Sequence, residues 1–367
     1  MSDVQQISAK ELAAGACKAA RPRAPGVIPL AKLARAHGLR LVKPHALTIT
    51  RRRHGRGFAY YDSDGLRLRD PEIGSRLASL AVPPAYKEVR YAEDPSAHLQ
   101  AIGTDAAGRL QYRYHPEWEK VRELRKARRL MRLVEVLPRI RRIVAQHIAA
   151  GSVAREAVLA AVIEMVARSA IRPGSEDYAR LHGTRGAATL LKSNVATEGD
   201  KVILSFRAKG GKVVRKEFAA ALLAPMLERL RELPGRRMFQ YRDEAGAIHM
   251  ATARAVNAFL REIAGGVTIS LKDFRTLLAS AAVLEALARQ APAASQRQRR
   301  RQVLEAVRKA AEDLANTPAI CRRSYVHASV VTAFEEGVLE GFADTVKRSR
   351  SAARREQLLT RIMTIAA

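Results

Sequence analysis

The sequence predicts an α+β chain: a small β-rich N-terminal domain followed by a mostly helical domain that carries one small antiparallel sheet. Three observations predict it. Short β-branched and aromatic runs, broken by turn residues, fill 47–115. From about residue 116 the apolar residues switch to a helical period, as in Val134, Leu137, Ile140 and Ile143. A single hairpin signal interrupts the helices, where Val202-Ile-Leu-Ser-Phe206 and Val213-Val-Arg-Lys-Glu-Phe218 flank Ala-Lys-Gly-Gly. A length of 367 residues with 47% hydrophobic content suffices for two or three domains, each with its own core.

Residues 1–44 mix Ala, Lys, Arg and Pro without sustained periodicity and read as a basic arm with one short helix. The β-rich domain is expected over 45–120. Its strands are Leu47–Thr50, Phe58–Tyr61, Val89–Tyr91, Leu99–Ile102 and Leu110–Tyr114, with Asp64-Gly65 and Ala107-Gly108 as turns. The helical domain is expected over 121–367, with helical stretches at 153–170, 218–232, 250–263, 272–289 and 300–316, a basic linker at 291–300 and a final helix over 346–364.

Charge narrows the function. Lys and Arg number 65 against 36 Asp and Glu, a formal net charge of +29. Arginine supplies 50 of the 65, a bias with two readings of equal standing: suitability for bidentate phosphate contacts, or a GC-rich coding sequence. Such a field attracts polyanions, and the expected partner is nucleic acid, with an acidic membrane surface the weaker alternative. No stretch approaches a membrane span and the start lacks a signal-peptide core, so a cytoplasmic, nucleoid-associated protein is expected, with no membrane partner. The two cysteines, Cys17 and Cys321, make neither a disulfide framework nor a CxxC metal site.

The scattered acids and histidines offer no metal cluster, HExxH and GxxxxGK[ST] are missing, and Gly55-Arg-Gly57 lacks its third glycine. No metal, nucleotide or other cofactor is expected. Catalysis on a phosphate without metal needs a nucleophile, cations for the non-bridging oxygens, and an acid for the departing oxygen. Asn316-Thr-Pro-Ala-Ile-Cys-Arg-Arg-Ser-Tyr325 reads as a helix start that places Tyr325 about two turns on, flanked by Arg322 and Arg323.

Four segments in order, Ala170-Ile-Arg-Pro-Gly174 with Tyr178, Phe206-Arg-Ala-Lys-Gly210, Ser270-Leu-Lys-Asp-Phe-Arg-Thr276 and Asn316 to Tyr325, resemble the poxviral and bacterial type IB DNA topoisomerases. Upstream, Val82-Pro-Pro-Ala-Tyr86, His98-Leu-Gln-Ala-Ile-Gly103 and Gly108-Arg-Leu-Gln-Tyr-Arg-Tyr-His-Pro-Glu-Trp118 resemble the family's amino-terminal domain, so the likeness spans 47–345. It implies the tyrosine recombinase/type IB topoisomerase-like fold and relaxation of supercoiled duplex DNA through a 3′-phosphotyrosyl intermediate, by a monomeric clamp without ATP or metal.

By resemblance, Tyr325 matches the nucleophile, Arg172 and Arg275 the pair that contacts the scissile phosphate, and Lys209 the acid for the 5′-oxygen. Asn316 stands where poxviral members have histidine, and its amide can still donate a hydrogen bond. Gln111, Tyr112, Tyr114, Tyr178 and Lys272 match DNA contacts. Leu277-Leu-Ala-Ser280 departs from the Trp-His-Gly type of sequence of many bacterial relatives. Two alternatives stand beside this reading. A tyrosine recombinase-like strand-exchange enzyme would show His-x-x-Arg where Lys272-Asp-Phe-Arg275 stands here, and a non-catalytic DNA-binding protein would need only the charge.

Overall fold

The computed structural model describes residues 28–348 and 351–365; residues 1–27 of the expected basic arm, with Cys17, lie outside them. The described residues divide into two compact units, one up to Lys126 and one from Ala127 onward.

The small unit begins with α1 (Leu30–Ala36), whose Leu33 and Ala34 pack with Leu39, Trp118 and Val121. The described part of the arm is therefore built into a core. The strands β1 (Ile49–His54) and β2 (Gly57–Tyr61) form a hairpin; α2 (Pro71–Ser79) and β3 (Lys87–Tyr91), β4 (Leu99–Thr104) and β5 (Leu110–Tyr114) follow. The five strands form one antiparallel sheet in the order β2-β1-β3-β4-β5, which leaves β2 and β5 as edges. Helix α2 is absent from the sequence expectation, although its start signal is present: Asp70 accepts from the amides of Glu72 and Ile73, and Pro71 opens the first turn.

Helix α3 (Trp118–Ala149) is continuous across the boundary between the units. In the large unit, α4 (Arg155–Ser169) is buried almost all round, from Ala157 to Val166, and forms the centre of the core. A helix apolar on every side needs partners on every side. After α5 (Glu176–His182), β6 (Val195–Glu198), β7 (Lys201–Arg207) and β8 (Val213–Ala219) make a three-stranded antiparallel sheet. The expected hairpin is β7–β8; β6 is a four-residue addition too short for a periodicity signal.

Next come α6 (Leu223–Glu232), the hairpin β9 (Gln240–Arg242) and β10 (Ile248–Met250), α7 (Ala253–Ile263) and α8 (Leu271–Ala288). Helix α9 (Gln296–Asp313) starts inside the expected linker, because the Ser295 hydroxyl caps the amide of Gln298. The chain then forms α10 (Pro318–Ser324) and α11 (Ala328–Glu335). In place of one final helix over 346–364 there are two, α12 (Ala343–Arg348) and α13 (Ala352–Ile365). Helix α13 packs on α8 and α11, and Arg141 of α3 clamps its Glu356 through two bonds of 2.9 and 2.6 Å. Among the described helices none is long and apolar enough to cross a membrane.

Candidate active site

Two helix ends prepare the site. Helix α4 terminates at Ala170 and α9 near Ala315, both in the left-handed region (φ 55° and 49°) although neither is glycine. A conformation that costs about 1–2 kcal/mol in a non-glycine residue persists only where its surroundings impose it. Here both breaks leave terminal carbonyls without intrahelical donors, and arginines supply the donors. Arg275 donates from Nη1 to the Ala170 carbonyl and from Nη2 to the Leu314 carbonyl at 3.0 Å. Arg172 donates from Nη1 to the Ala315 carbonyl at 3.4 Å and from Nη2 to Asn316 Oδ1 at 2.5 Å. Cations at helix C-termini also complement the dipole.

Arg275 is only 1% exposed, and its Nε has no partner within the protein. Burial lowers its guanidinium below the ordinary value, with Tyr325 opposing the shift. The Asn316 side chain is buried too, and its Nδ2 is unpartnered while Oδ1 is held by Arg172. A buried amide left without an acceptor carries a free-energy cost of about 1–3 kcal/mol. The cluster thus keeps two donors, Arg275 Nε and Asn316 Nδ2, that nothing in the described protein satisfies.

Tyr325 caps the C-terminal end of α10, half-buried, with its amide bonded to the Cys321 carbonyl at 2.9 Å. Its ring centroid lies 5.0 Å from the Arg275 guanidinium carbon and 5.8 Å from Lys272 Nζ. Burial by itself raises a phenol, but the charge of Arg275 and its hydrogen bond to the phenol, with the charges of Lys272 and Arg172, outweigh it and hold Tyr325 below the ordinary tyrosine value. From α8, the Ser280 hydroxyl donates to the Tyr325 carbonyl at 3.0 Å and accepts from the His327 amide at 3.1 Å. Lys272, Arg275 and this anchor share one helix.

The Arg172 loop is fixed from the other side. Gly174 has φ 95°, and a Cβ on Gly186 would lie 2.5 Å from the Gly174 nitrogen and 2.6 Å from the Arg172 carbonyl oxygen. Only glycine at 186 permits this backbone approach. Neither glycine contact is readable from periodicity, because it joins separate segments.

Lys209 sits at the β7–β8 turn, where Gly210 and Gly211 take positive φ and the Ala208 amide bonds the Lys212 carbonyl at 2.7 Å. Its Nζ lies 4.5 Å from the ring centroid of Tyr178, which is 39% exposed on α5. The structure therefore brings together Arg172, Lys272, Arg275, Asn316 and Tyr325, while Lys209 pairs with Tyr178 at the hairpin tip. Arg322 and Arg323 fall in the last turn of α10.

In the small unit, Tyr112 and Tyr114 lie on one face of edge strand β5, stacked at 6.2 Å and 16°, and Tyr114 in turn stacks with Trp118 at 6.2 Å. Gln111 points to the other face, where its amide donates to Asp105 at 2.8 Å. Among the described residues no group of three or more His, Cys, Asp or Glu converges as for a metal ion.

A half-buried tyrosine beside inward-turned guanidiniums, in a mostly helical unit, places a phenol and anion-binding donors side by side. The family model described as "Eukaryotic DNA topoisomerase I, catalytic core" matches residues 115–351, and that described as "Bacterial DNA topoisomerase IB, N-terminal domain" matches 57–105. The chain belongs to the type IB DNA topoisomerase family. DNA topoisomerase 1B of Acanthamoeba polyphaga mimivirus is 29% identical over 285 residues, covering 76% of this chain and 84% of that protein. The expected fold and enzyme class, an ATP-independent isomerase of DNA, agree with these matches.

Proposed function

We propose that the chain relaxes supercoiled duplex DNA at the site built around Tyr325. The observation that carries this reading is a half-buried phenol held below its ordinary value by Arg275, Lys272 and Arg172. A phenol facing Arg275 and Lys272 at 5.0 and 5.8 Å from its ring is suited to attack an anionic phosphodiester.

In the cleavage step the Tyr325 oxygen attacks phosphorus and its proton leaves to solvent. A 3′-phosphotyrosyl bond forms and the bond from phosphorus to the 5′-oxygen breaks. Arg172 and Arg275 offset the charge growing on the non-bridging oxygens, and the orphaned Nδ2 of Asn316 and Nε of Arg275 are donors for the same oxygens. Lys209 gives a proton to the departing 5′-oxygen. Its place at a Gly-rich turn requires the hairpin tip to exchange Tyr178 for the DNA strand. The phosphotyrosyl link conserves the bond energy, so the 5′-hydroxyl can attack back, after the strand has swivelled, with no ATP and no metal.

Lys272, Tyr178, Gln111, Tyr112 and Tyr114 serve as DNA contacts in this reading. The stacked pair on β5 presents aromatic surface suited to base edges, and the net charge of +29 supplies salt-dependent backbone affinity. The enzyme works as a monomer, at the nucleoid. The three proposed domains are the arm at 1–44, a DNA-gripping domain at 45–120 and a catalytic domain from 121 onward.

The deciding experiment is relaxation of supercoiled plasmid in EDTA without ATP, by the wild type and by Tyr325→Phe, with denatured samples probed for protein on a DNA 3′ end. Relaxation and a 3′ adduct from the wild type alone are expected. Relaxation by the variant removes Tyr325 as nucleophile, and strand exchange between paired sites without relaxation turns the reading toward recombination.

A further inference from the structure

Helix α8 delivers both Lys272 and Arg275 to the phenol, so whatever sets the first turn of α8 sets the distance of two cations from the nucleophile. That first turn is held with unusual thoroughness. The Asp273 carboxylate oxygen Oδ2 accepts from the Ser270 amide at 2.7 Å and the Ser270 hydroxyl at 2.9 Å, closing a capping box. The same oxygen accepts from Arg129 Nη2 at 2.6 Å, and Arg129 also donates to the Ser270 hydroxyl at 3.1 Å. The pair is largely screened from water, with side-chain exposures of 25% and 14%. It is a charge-assisted bond in a reduced dielectric, of the stronger kind.

Arg129 comes from α3, 141 residues before Ser270 in sequence. Its neighbours Leu130, Leu133 and Leu137 are packed into the core of the large unit, so the arginine projects from a fixed rod. The N-terminal end of the same helix contributes Trp118 and Val121 to a core of the small unit. Arg129 is therefore a charged side chain by which α3 grips the helix that carries Lys272 and Arg275.

We propose that Arg129 is a positioning residue for the transesterification: by binding Asp273 and Ser270 it fixes the N-terminal turn of α8, and thereby the places of Lys272 and Arg275 against Tyr325. It touches neither phosphate nor phenol. This inference rests on the proposed role of Tyr325, and it assigns α3 a part in the chemistry beyond joining the two units. Without the Arg129 grip, the capping box still closes the turn through Ser270 and Asp273, so α8 persists but is no longer referenced to α3. A shift of about 1 Å in a catalytic group costs on the order of a hundredfold in rate.

The test uses the full-length protein and a short duplex substrate, measured for equilibrium affinity across salt concentrations and for single-turnover formation of the covalent adduct. Arg129→Ala is expected to slow adduct formation about ten- to a hundredfold, with affinity, salt slope and melting temperature close to wild type. Arg129→Lys, which can still reach one acceptor, is expected to recover most of the rate. Asp273→Asn should slow cleavage as Arg129→Ala does, and the double variant should be no slower than the worse single variant. A fall in affinity with a smaller salt slope in Arg129→Ala would make Arg129 a DNA contact and overturn the proposal. Wild-type adduct kinetics in Arg129→Ala, or a rate loss that follows loss of folded protein, overturns it equally. If wild type itself forms no adduct, or Tyr325→Phe still does, the underlying reading of Tyr325 fails instead, a result separate from any effect of Arg129.

Discussion

Each unit buries a tyrosine beside an arginine, and the two tyrosines respond in opposite directions. In the small unit Tyr91 is 1% exposed with Arg51 Nη1 3.3 Å from its hydroxyl, yet burial pushes its phenol up to about 12, with Arg51 opposing. In the large unit Tyr325 is also desolvated, but it ends below its ordinary value because Arg275, Lys272 and Arg172 all bear on it. The Arg51 guanidinium is already shared among the carbonyls of Val82, Pro83 and Tyr86. Arg275 and Arg172 are anchored to carbonyls in the same way, so the difference lies in number: one cation does not offset the burial of Tyr91, whereas three bear on Tyr325. Burial alone raises a phenol; several converging cations lower it, which is the property the proposed role of Tyr325 requires.

This contrast is tested most severely at the phenol itself. Tyr325→Phe should abolish covalent adduct formation, a loss on the order of a millionfold as for nucleophile removal elsewhere, while salt-sensitive DNA binding stays near wild type. Tyr91→Phe should leave cleavage per folded molecule unchanged. Equal losses in a cleavage assay from the two substitutions would erase the distinction drawn between the units.

Next in size is Lys209, the proposed proton donor. Lys209→Ala should reduce cleavage about 10²- to 10⁴-fold, and a substrate with a more acidic 5′ leaving group should restore much of that rate. No rescue with such a substrate means that Lys209 acts by binding. Arg275→Ala should cost about 10²- to 10³-fold in single-turnover cleavage. It should also lower the melting temperature, because the Ala170 and Leu314 carbonyls lose their donor. An unchanged melting temperature would contradict the anchoring of Arg275 by two helix ends.

Smaller effects sharpen the comparison. Since Tyr325 lies below the ordinary value, single-turnover cleavage should climb with pH and level off below 10.0, and Lys272→Ala should move the plateau to higher pH by removing one of the three cations that face the phenol. A profile unmoved by that change would show that Arg275 and Arg172 suffice. Tyr112→Ala, at the exposed edge of the small unit, should weaken duplex binding about tenfold and leave cleavage of the bound complex intact.

Much of this is legible in the residues. The switch from short alternating runs to helical period separates strands from helices, and the Ala-Lys-Gly-Gly turn marks β7–β8 because glycine accepts the positive φ that the turn needs. The order of the Arg172, Lys209, Arg275 and Tyr325 segments marks the family. Helix α2 and the early start of α9 are also signalled, by Asp70-Pro71 and Ser295, but such caps compete with the surrounding turn residues and yield to them in a linear reading. Strands β6, β9 and β10, of four and three residues, are too short to express a period at all.

By itself the sequence determined which residue types are available: the cations, the phenol, the scarcity of clustered acids, and the alternation of elements that carries them. Local chemistry is enough for that, since period, cap and turn preferences act over a few residues. Only the tertiary structure decided that the carbonyls of Ala170, Leu314 and Ala315 hold the two arginines, that Gly186 must be glycine for the Arg172 loop to close, and that Arg129 grips Asp273. Each of these joins segments separated along the chain, and burial of Arg275 together with partial burial of Arg172 and Tyr325 reduces the screening of their charges, while Lys272 faces the phenol from the exposed side of α8.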